Sequence, residues 1–351
     1  MNIAFWTRED QLLNNYIFKN SLDPTGGNGL QKYCDLFDYC LKNEPKIKLY
    51  TVDTIKNISD VDLLVFIGVP NKQSKYGIKF LNNNDKPKIL ITEECKYIEP
   101  ESFSKSSLNT FDIIFTFDDN YIDEIKYKKM HNCVLENHQI PKENFNKKKL
   151  ACMFNANKNF LKKNSLHEER KKIINWFQKY KVNEFDLYGK GWDEYVIPWN
   201  WKILNRLNYP RFTKLRKFLN FKINTSWQGY AKDRNLTASK YKFFFAFENF
   251  KIDGYITSKI FDAFYSKTVP IYYGASNITK YIPKKCFIDY RKFKSLDLLY
   301  KKLSEMREDE YNEYLYNYEL FLNSSGIETF TSDYFIQKFL KNCKSIYYKN
   351  I

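Results

Sequence analysis

The stretch Tyr241 to Phe293, YKFFFAFENFKIDGYITSKIFDAFYSKTVPIYYGASNITKYIPKKCFIDYRKF, carries the densest structural signal in the chain. Lys242 to Phe247 is an aromatic and apolar run of strand length, closed by the polar pair Glu248 and Asn249. Thr257 stands where an N-cap is expected, ahead of Ile260, Phe261 and Phe264 at helical spacing, and that helix should end before Thr268. Val269 to Tyr273 and Cys286 to Ile288 then read as further strands. Strand, loop, helix and strand in this order form the repeating unit of a parallel α/β sheet. Lys259 falls in the first helical turn, where open N–H groups and the helix dipole favour an anion. Taken singly, a lysine there is more often a solvated surface charge.

The same alternation extends outward in both directions. Leu150 to Phe154 and Glu184 to Tyr188 read as strands in the second half, and Asn2 to Trp6, Ile47 to Val52, Leu63 to Gly68, Lys88 to Thr92 and Ile113 to Phe117 in the first. Ser165 and Glu168 have capping-box spacing ahead of Ile173, Ile174 and Phe177, which predicts a helix from near Leu166. Leu296, Leu299, Leu303 and Met306 also keep a helical period. A length of 351 residues exceeds what one core usually serves, so two α/β domains are expected. The lysine-rich Lys147 to Lys149 marks the junction, giving a division into 1–147, 148–335 and a helical tail at 336–351.

Bulk composition narrows the class. An aromatic share of 18% argues against disorder, and no apolar run reaches the eighteen residues a membrane span needs. The start, MNIAFWTRED, lacks a basic and then apolar leader pattern, so a cytoplasmic protein is expected. Seven scattered cysteines without a CxxC pair read as reduced thiols, and His131, His138 and His167 have no partners at metal-ligand spacing, so no metal is expected. The net charge of +16 is unevenly placed: residues 1–150 hold 21 basic and 21 acidic side chains, leaving 36 and 20 in the remainder. An excess confined to the second half suits a polyanion, whether diphosphate, nucleic acid or anionic membrane.

The blocks Phe247-Glu248-Asn249, Tyr255-Ile256-Thr257-Ser258-Lys259 and Val269-Pro270-Ile271 with Gly274 closely resemble the pattern of the family-ten α-1,3-fucosyltransferases. The likeness continues through Phe111 to Asp118, Lys148 to Lys158, Phe185 to Trp192 and Phe321 to Ser324, covering roughly residues 85 to 335. The resemblance implies a GT-B fold, two facing Rossmann-like domains, with the acceptor-side domain first and the nucleotide-sugar domain second. It implies an inverting, metal-independent transfer of fucose from GDP-fucose, or of a sugar from a related nucleotide donor, and no further cofactor. The implied acceptor is an oligosaccharide or lipid-linked glycan of lipopolysaccharide or capsule type.

By the same resemblance Arg170 and Lys259 contact the diphosphate, Glu248, Asn249 and Tyr255 serve the donor, Tyr188 with Gly189 borders the base, and Asn157, Arg234 and Lys240 match neighbouring blocks. The chain has Ser258 where the family has glutamate, which puts donor identity in question, since a hydroxyl offers less than a carboxylate to ribose. Glu94, with Glu93 as the alternative, matches the general base after the strand near residue 90; consecutive strand side chains face opposite ways, so only one can aim into the cleft.

Three features fit less directly. Asp60-Val61-Asp62 imitates a D-x-D metal motif but leads straight into a strand, and reads as an accident of strand start. The loop Pro24 to Gly29 falls short of a nucleotide-binding glycine pattern. Trp199 to Lys222 holds seven basic residues, no acidic one and interleaved aromatics, for which an anionic membrane surface ranks first, a solvated insertion second and nucleic acid last. Beside the transferase reading stands a catalytically silent glycan- or nucleic-acid-binding protein on the same scaffold.

Overall fold

The computed structural model describes residues 1–19, 29–71, 74–83, 85–131, 140, 143–158, 163–194, 204–218 and 225–349. The chain divides into two compact units, Met1–Glu136 with Ile327–Ile351, and Asn137–Gly326. The sequence places the junction at 147/148 and sets 336–351 apart as a tail. The terminal helix instead begins at Ser332, runs to Lys349, and belongs to the first unit.

The first unit is built on β1 (Asn2–Thr7), β2 (Lys48–Thr51), β3 (Leu63–Ile67), β4 (Lys88–Ile91), β5 (Ile113–Thr116) and β6 (Tyr127–Lys129), ordered β2-β1-β3-β4-β5-β6 and parallel throughout. Period-two alternation sorts each strand's side chains to two buried faces. Ile3 and Phe5 join Leu63, Val65, Ile89 and Ile91 on one side. Ala4 and Trp6 join Leu64, Phe66 and Leu90 on the other. The first face is closed by helix Gln31–Asn43 and by the terminal helix, whose Phe335, Ile336, Phe339, Leu340, Cys343 and Ile346 enter the core. Lys344 of that helix pairs with Glu44 at 2.7 Å.

The second unit carries β7 (Lys149–Phe154), β8 (Phe185–Tyr188), β9 (Tyr241–Phe247), β10 (Val269–Tyr273) and β11 (Ile288–Asp289), ordered β11-β10-β9-β7-β8 and again parallel. β9 is buried along almost its whole length, as its unbroken aromatic run requires. Helices His167–Tyr180 and Ser258–Tyr265 flank the sheet, with Ile173, Ile174 and Phe177 of the first, and Ile260, Phe261 and Phe264 of the second, turned inward.

Most expected strands stand within a residue or two of their expected limits. Two details differ. Ser165 forms no capping box; its Oγ accepts from the His167 amide at 3.3 Å and meets His167 Nδ1 at 2.9 Å, and Leu166 occupies the N-cap without a side-chain bond. Lys284–Cys286 is a 3-10 turn, so the last strand starts at Ile288 rather than Cys286. Asp62 lies at the amino edge of the first sheet, where its Oδ2 accepts the Asn2 amide at 2.7 Å, a structural use of the D-x-D residues.

Because each sheet is parallel, the carboxyl ends of its strands share one edge. β1, β3 and β4 deliver Arg8, Gly68 and Thr92 to Cys95 to one edge, and β7, β9 and β10 deliver Asn155, Glu248 and Gly274 to the other.

Candidate active site

In the second unit, the chemistry gathers around Glu248, the first residue past β9, which is fully buried. Its Oε1 accepts the Thr257 amide at 2.8 Å and its Oε2 accepts the Thr257 hydroxyl at 2.7 Å. Lys259 Nζ reaches the same Oε2 at 3.3 Å and the Thr257 hydroxyl oxygen at 3.0 Å. Thr257 does occupy the N-cap of helix Ser258–Tyr265, but its hydroxyl turns to Glu248 instead of capping. The first-turn amides of that helix are left for another acceptor.

Arg170, in the first turn of helix His167–Tyr180, reaches the same corner and is only 3% exposed. Its Nη2 donates to the Phe247 carbonyl at 2.6 Å and to Asn249 Oδ1 at 3.0 Å. Nε is buried without a hydrogen-bond partner. Asn249 in turn donates to the Tyr255 hydroxyl at 3.5 Å. Arg170, Glu248, Asn249, Tyr255 and Lys259, drawn from three separated segments, are thus brought together.

The electrostatics of this corner favour an anion. Burial pulls the Arg170 guanidinium down to about 10, with Glu248 and Tyr255 opposing. Burial also lowers the Lys259 ammonium, with Glu248 opposing it and Arg170 adding to it. His167 falls to about 3, first through burial and then through Arg170, Lys158, Lys171 and Lys259. Burial is the larger cause, and the four basic neighbours disfavour the imidazolium in the same direction.

Ser258 lies beside this cluster and its Oγ approaches Asp262 Oδ2, one turn along the helix, at 3.4 Å. Asp262 is ion-paired with Arg234 at 2.8 Å. A carboxylate is therefore present next to Ser258 although residue 258 itself carries none.

Tyr188 and Asn157 serve neighbouring loops. Tyr188 stacks on Phe154 with centroids 4.8 Å apart, and its hydroxyl meets that of Tyr241 at 2.8 Å. Tyr241 donates to Asp186, which pairs with Lys149 at 2.7 Å. Asn157 donates to the carbonyls of Gly191 and Glu194, closing the loop after β8.

The structure gives Gly274, marked in the sequence only as the end of a block, a physical reason. A Cβ on Gly274 would come within 2.5 Å of Glu248 Cγ and of the Tyr272 hydroxyl, so glycine after β10 is what lets the Glu248 side chain lie there. Its place after a strand was a visible signal; its contact was not.

In the first unit, Glu93 and Glu94 follow β4 as expected. Glu93 Oε1 is held by the buried Lys32 ammonium at 2.7 Å and by the Tyr33 hydroxyl at 2.7 Å. Further along, Glu99 pairs with Arg8 at 2.8 Å and accepts from Ser102 at 3.2 Å, while Arg8 also reaches Glu101 at 3.1 Å. Burial pushes the Glu99 carboxyl up to about 7; Glu94 and Glu93 push the same way, against Arg8 and the Ser102 bond. Neither Glu99 nor Arg8 stood out in the sequence, because an isolated Glu and an isolated Arg in loops carry no pattern.

Of Trp199 to Lys222, residues 204–218 lie within the described chain. Helix Thr213–Phe218 buries Arg216 against Glu194 at 2.5 Å, while Leu204, Tyr209, Leu215 and Phe218 are exposed beside Arg206, Arg211 and Lys214. His138, Cys133 and most of Pro24 to Gly29 lie outside the described residues. Among the described residues no helix is long and apolar enough to cross a membrane.

Residues 144–350 match the family model described as glycosyltransferase family 10 (fucosyltransferase), C-terminal. The chain belongs to glycosyltransferase family 10. The matched segment contains the whole Arg170, Glu248 and Lys259 cluster and excludes Glu93 and Glu94. Among curated proteins, the alpha-(1,3)-fucosyltransferase FucT of Helicobacter pylori is 38% identical over 87 residues, 24% of this chain and 18% of that one. The alpha-(1,4)-fucosyltransferase of Arabidopsis thaliana is 41% identical over 78 residues, 22% and 20%. The matched stretch thus spans about a fifth of those relatives. A solved alpha1,3-fucosyltransferase superimposes with a TM-score of 0.58 at 18% identity over 97% of this chain and 89% of that one. A DNA-modifying beta-glucosyltransferase gives 0.57 at 13% identity over 97% and 99%. The fold is the α/β GT-B type that the family resemblance implied, here as two Rossmann-like units.

Proposed function

We propose that this family-ten protein transfers fucose from GDP-fucose to a hydroxyl of a glycan, inverting the anomeric centre, with protein cations in place of a metal. The observation that carries the reading is the meeting of Arg170 and Lys259 around the corner Phe247-Glu248-Asn249, beside an uncapped helix start. Lys259 and the Nε side of Arg170 are the donors offered to the diphosphate; Glu248 and Thr257 fix the lysine, and Asn249 with Tyr255 borders the sugar.

Glu94 takes the acceptor hydroxyl proton as that oxygen bonds to the anomeric carbon. The bond from this carbon to the diphosphate oxygen breaks, and its electron pair leaves with the nucleotide. The neighbouring Glu93 carboxylate is held by Lys32 and Tyr33, which gives it a structural use beside the proposed base. Base assistance is worth about 10²–10⁴ in rate, and charge stabilisation at the leaving group about 10²–10³ per donor.

The exposed Leu204, Tyr209, Leu215 and Phe218 among basic residues support a peripheral site on an anionic membrane face, suited to a lipid-linked acceptor of lipopolysaccharide or capsule type. On that reading the protein works in the cytoplasm.

Purified protein should release GDP from GDP-fucose in the presence of an oligosaccharide acceptor. Release from a different nucleotide sugar alone would replace fucose as the donor, a result that Ser258 and its Asp262 partner make worth screening for. Absence of release from every GDP- and UDP-sugar tried would reject the transferase reading in favour of a silent binding protein.

A further inference from the structure

A cleft of about 410 Å³ opens at the carboxyl edge of β1 and β3, wholly within the first unit. Its working residues are Arg8, Asp10, Asn71, Ser74, Tyr76 and Glu101, over a floor that includes Trp6, Leu13 and Val69. The Trp6 indole donates to Ser74 Oγ at 3.1 Å, and the same oxygen accepts the Gly77 amide at 3.2 Å, so this wall is fixed. Arg8 is fixed too. Its guanidinium is tied to Glu99, Glu101 and the Ser102 hydroxyl, yet its buried Nε has no hydrogen-bond partner. Gly68 has φ +77°, and a Cβ there would lie 2.6 Å from Arg8 Nε, so the backbone itself makes room for the arginine.

The charge around the cleft is lopsided. Arg8 is already opposed by Glu99 and Glu101, and Asp10 adds a further carboxylate. An incoming phosphate or acid would meet net repulsion. A sugar ring would donate hydroxyls to Asp10 and Glu101, accept from Arg8 or Asn71, and lay an apolar face against Tyr76 and Leu13.

We propose that this cleft is a subsite for one uncharged hexose of the acceptor, and that its carboxylates exclude sugars bearing an acid group. The assignment rests on the transferase reading only in naming the bound sugar as acceptor. The binding itself is independent of the donor.

Methyl β-galactoside and methyl β-galacturonide differ only in a carboxylate at C6, and their binding to the full chain without donor can be followed by saturation-transfer NMR and by competition. The galactoside should bind about tenfold more tightly, and Asp10→Asn should shrink that ratio to about threefold or less. Tyr76→Ala, at an exposed side chain, should weaken the galactoside with no change in melting temperature. Equal binding of the two glycosides, or a ratio untouched by Asp10→Asn, overturns the subsite. GDP release from GDP-fucose is measured on the same samples. Release with no glycoside discrimination removes the subsite and leaves the transferase; discrimination with no release from any donor keeps the subsite and removes the transferase.

Discussion

Two parallel sheets of the same construction end in loops of opposite character. The edge of the first gathers Glu93, Glu94, Glu99 and Glu101 against Arg8 and Lys32, while the edge of the second gathers Arg170 and Lys259 against one buried Glu248. Strand order and register do not produce this contrast, since both sheets bury aliphatic and aromatic strands on two faces. Residues in the loops and first helical turns that follow the strands do, and they give the two edges their opposite balance of charge.

The largest effects should come from breaking one edge at a time. Glu94→Gln is expected to lower sugar transfer by about 10²–10⁴ while GDP-fucose binding, read by calorimetry, stays within about twofold. Glu93→Gln is the control: it removes one charged partner of the buried Lys32, so the expected loss is about 2 kcal/mol of stability in a denaturant melt, with transfer reduced far less. If Glu93→Gln proves the more damaging to transfer at equal folding, the two carboxylates exchange roles.

On the second edge, Lys259→Met should reduce donor turnover by about 10²–10³ and also weaken GDP binding. Gly274→Ala probes the same corner without touching a charge. Its Cβ would force Glu248 or Tyr272 aside, so GDP affinity should fall about tenfold, with a stability loss of roughly 1–3 kcal/mol. Unchanged GDP affinity in both variants would detach this corner from the donor.

How much of this contrast the sequence disclosed follows from how each feature is encoded. β9 and β10 were legible because fully buried parallel strands are continuous apolar runs, and Glu248, Asn249 and Lys259 stood out by following them. β6, with the sequence YKK and half-exposed side chains, carries no such run and shows only through its pairing to β5. The attachment of the terminal helix to the first unit was hidden because an amphipathic face does not name its partner. Arg8, Glu99 and Asp262 were hidden for a related reason: each acts through a neighbour 28 or more positions away. Tyr188 illustrates the converse, a residue placed near the site by sequence likeness whose hydroxyl is engaged with Tyr241.

A smaller effect separates the edges by pH. Glu99 rises from 4.5 to about 7 in the folded chain, so the folded state holds its proton where the unfolded state has released it. Stability should therefore fall as pH climbs from about 4.5 to about 7, and level off above. Glu99→Gln should remove a part of that slope on the order of 2 kcal/mol, measured as the difference between wild-type and variant urea melts at pH 5 and pH 8. A slope identical in both proteins would show that Arg8 keeps Glu99 ionised throughout.

The smallest expected signal reads the second edge most directly. His167 is held neutral down to about pH 3 by burial and by the cations Arg170, Lys158, Lys171 and Lys259. A diphosphate bound among those cations cancels part of their field, so GDP should raise the His167 pKa by about one unit or more, visible in imidazole NMR titrations. With only three histidines in the chain, the resonance can be assigned by His167→Gln. The direction of the shift is what discriminates. An upward shift places the anion within the field of these side chains, whereas GDP that binds and leaves His167 at about 3 must sit elsewhere, and the cations around Glu248 would then be serving the fold alone.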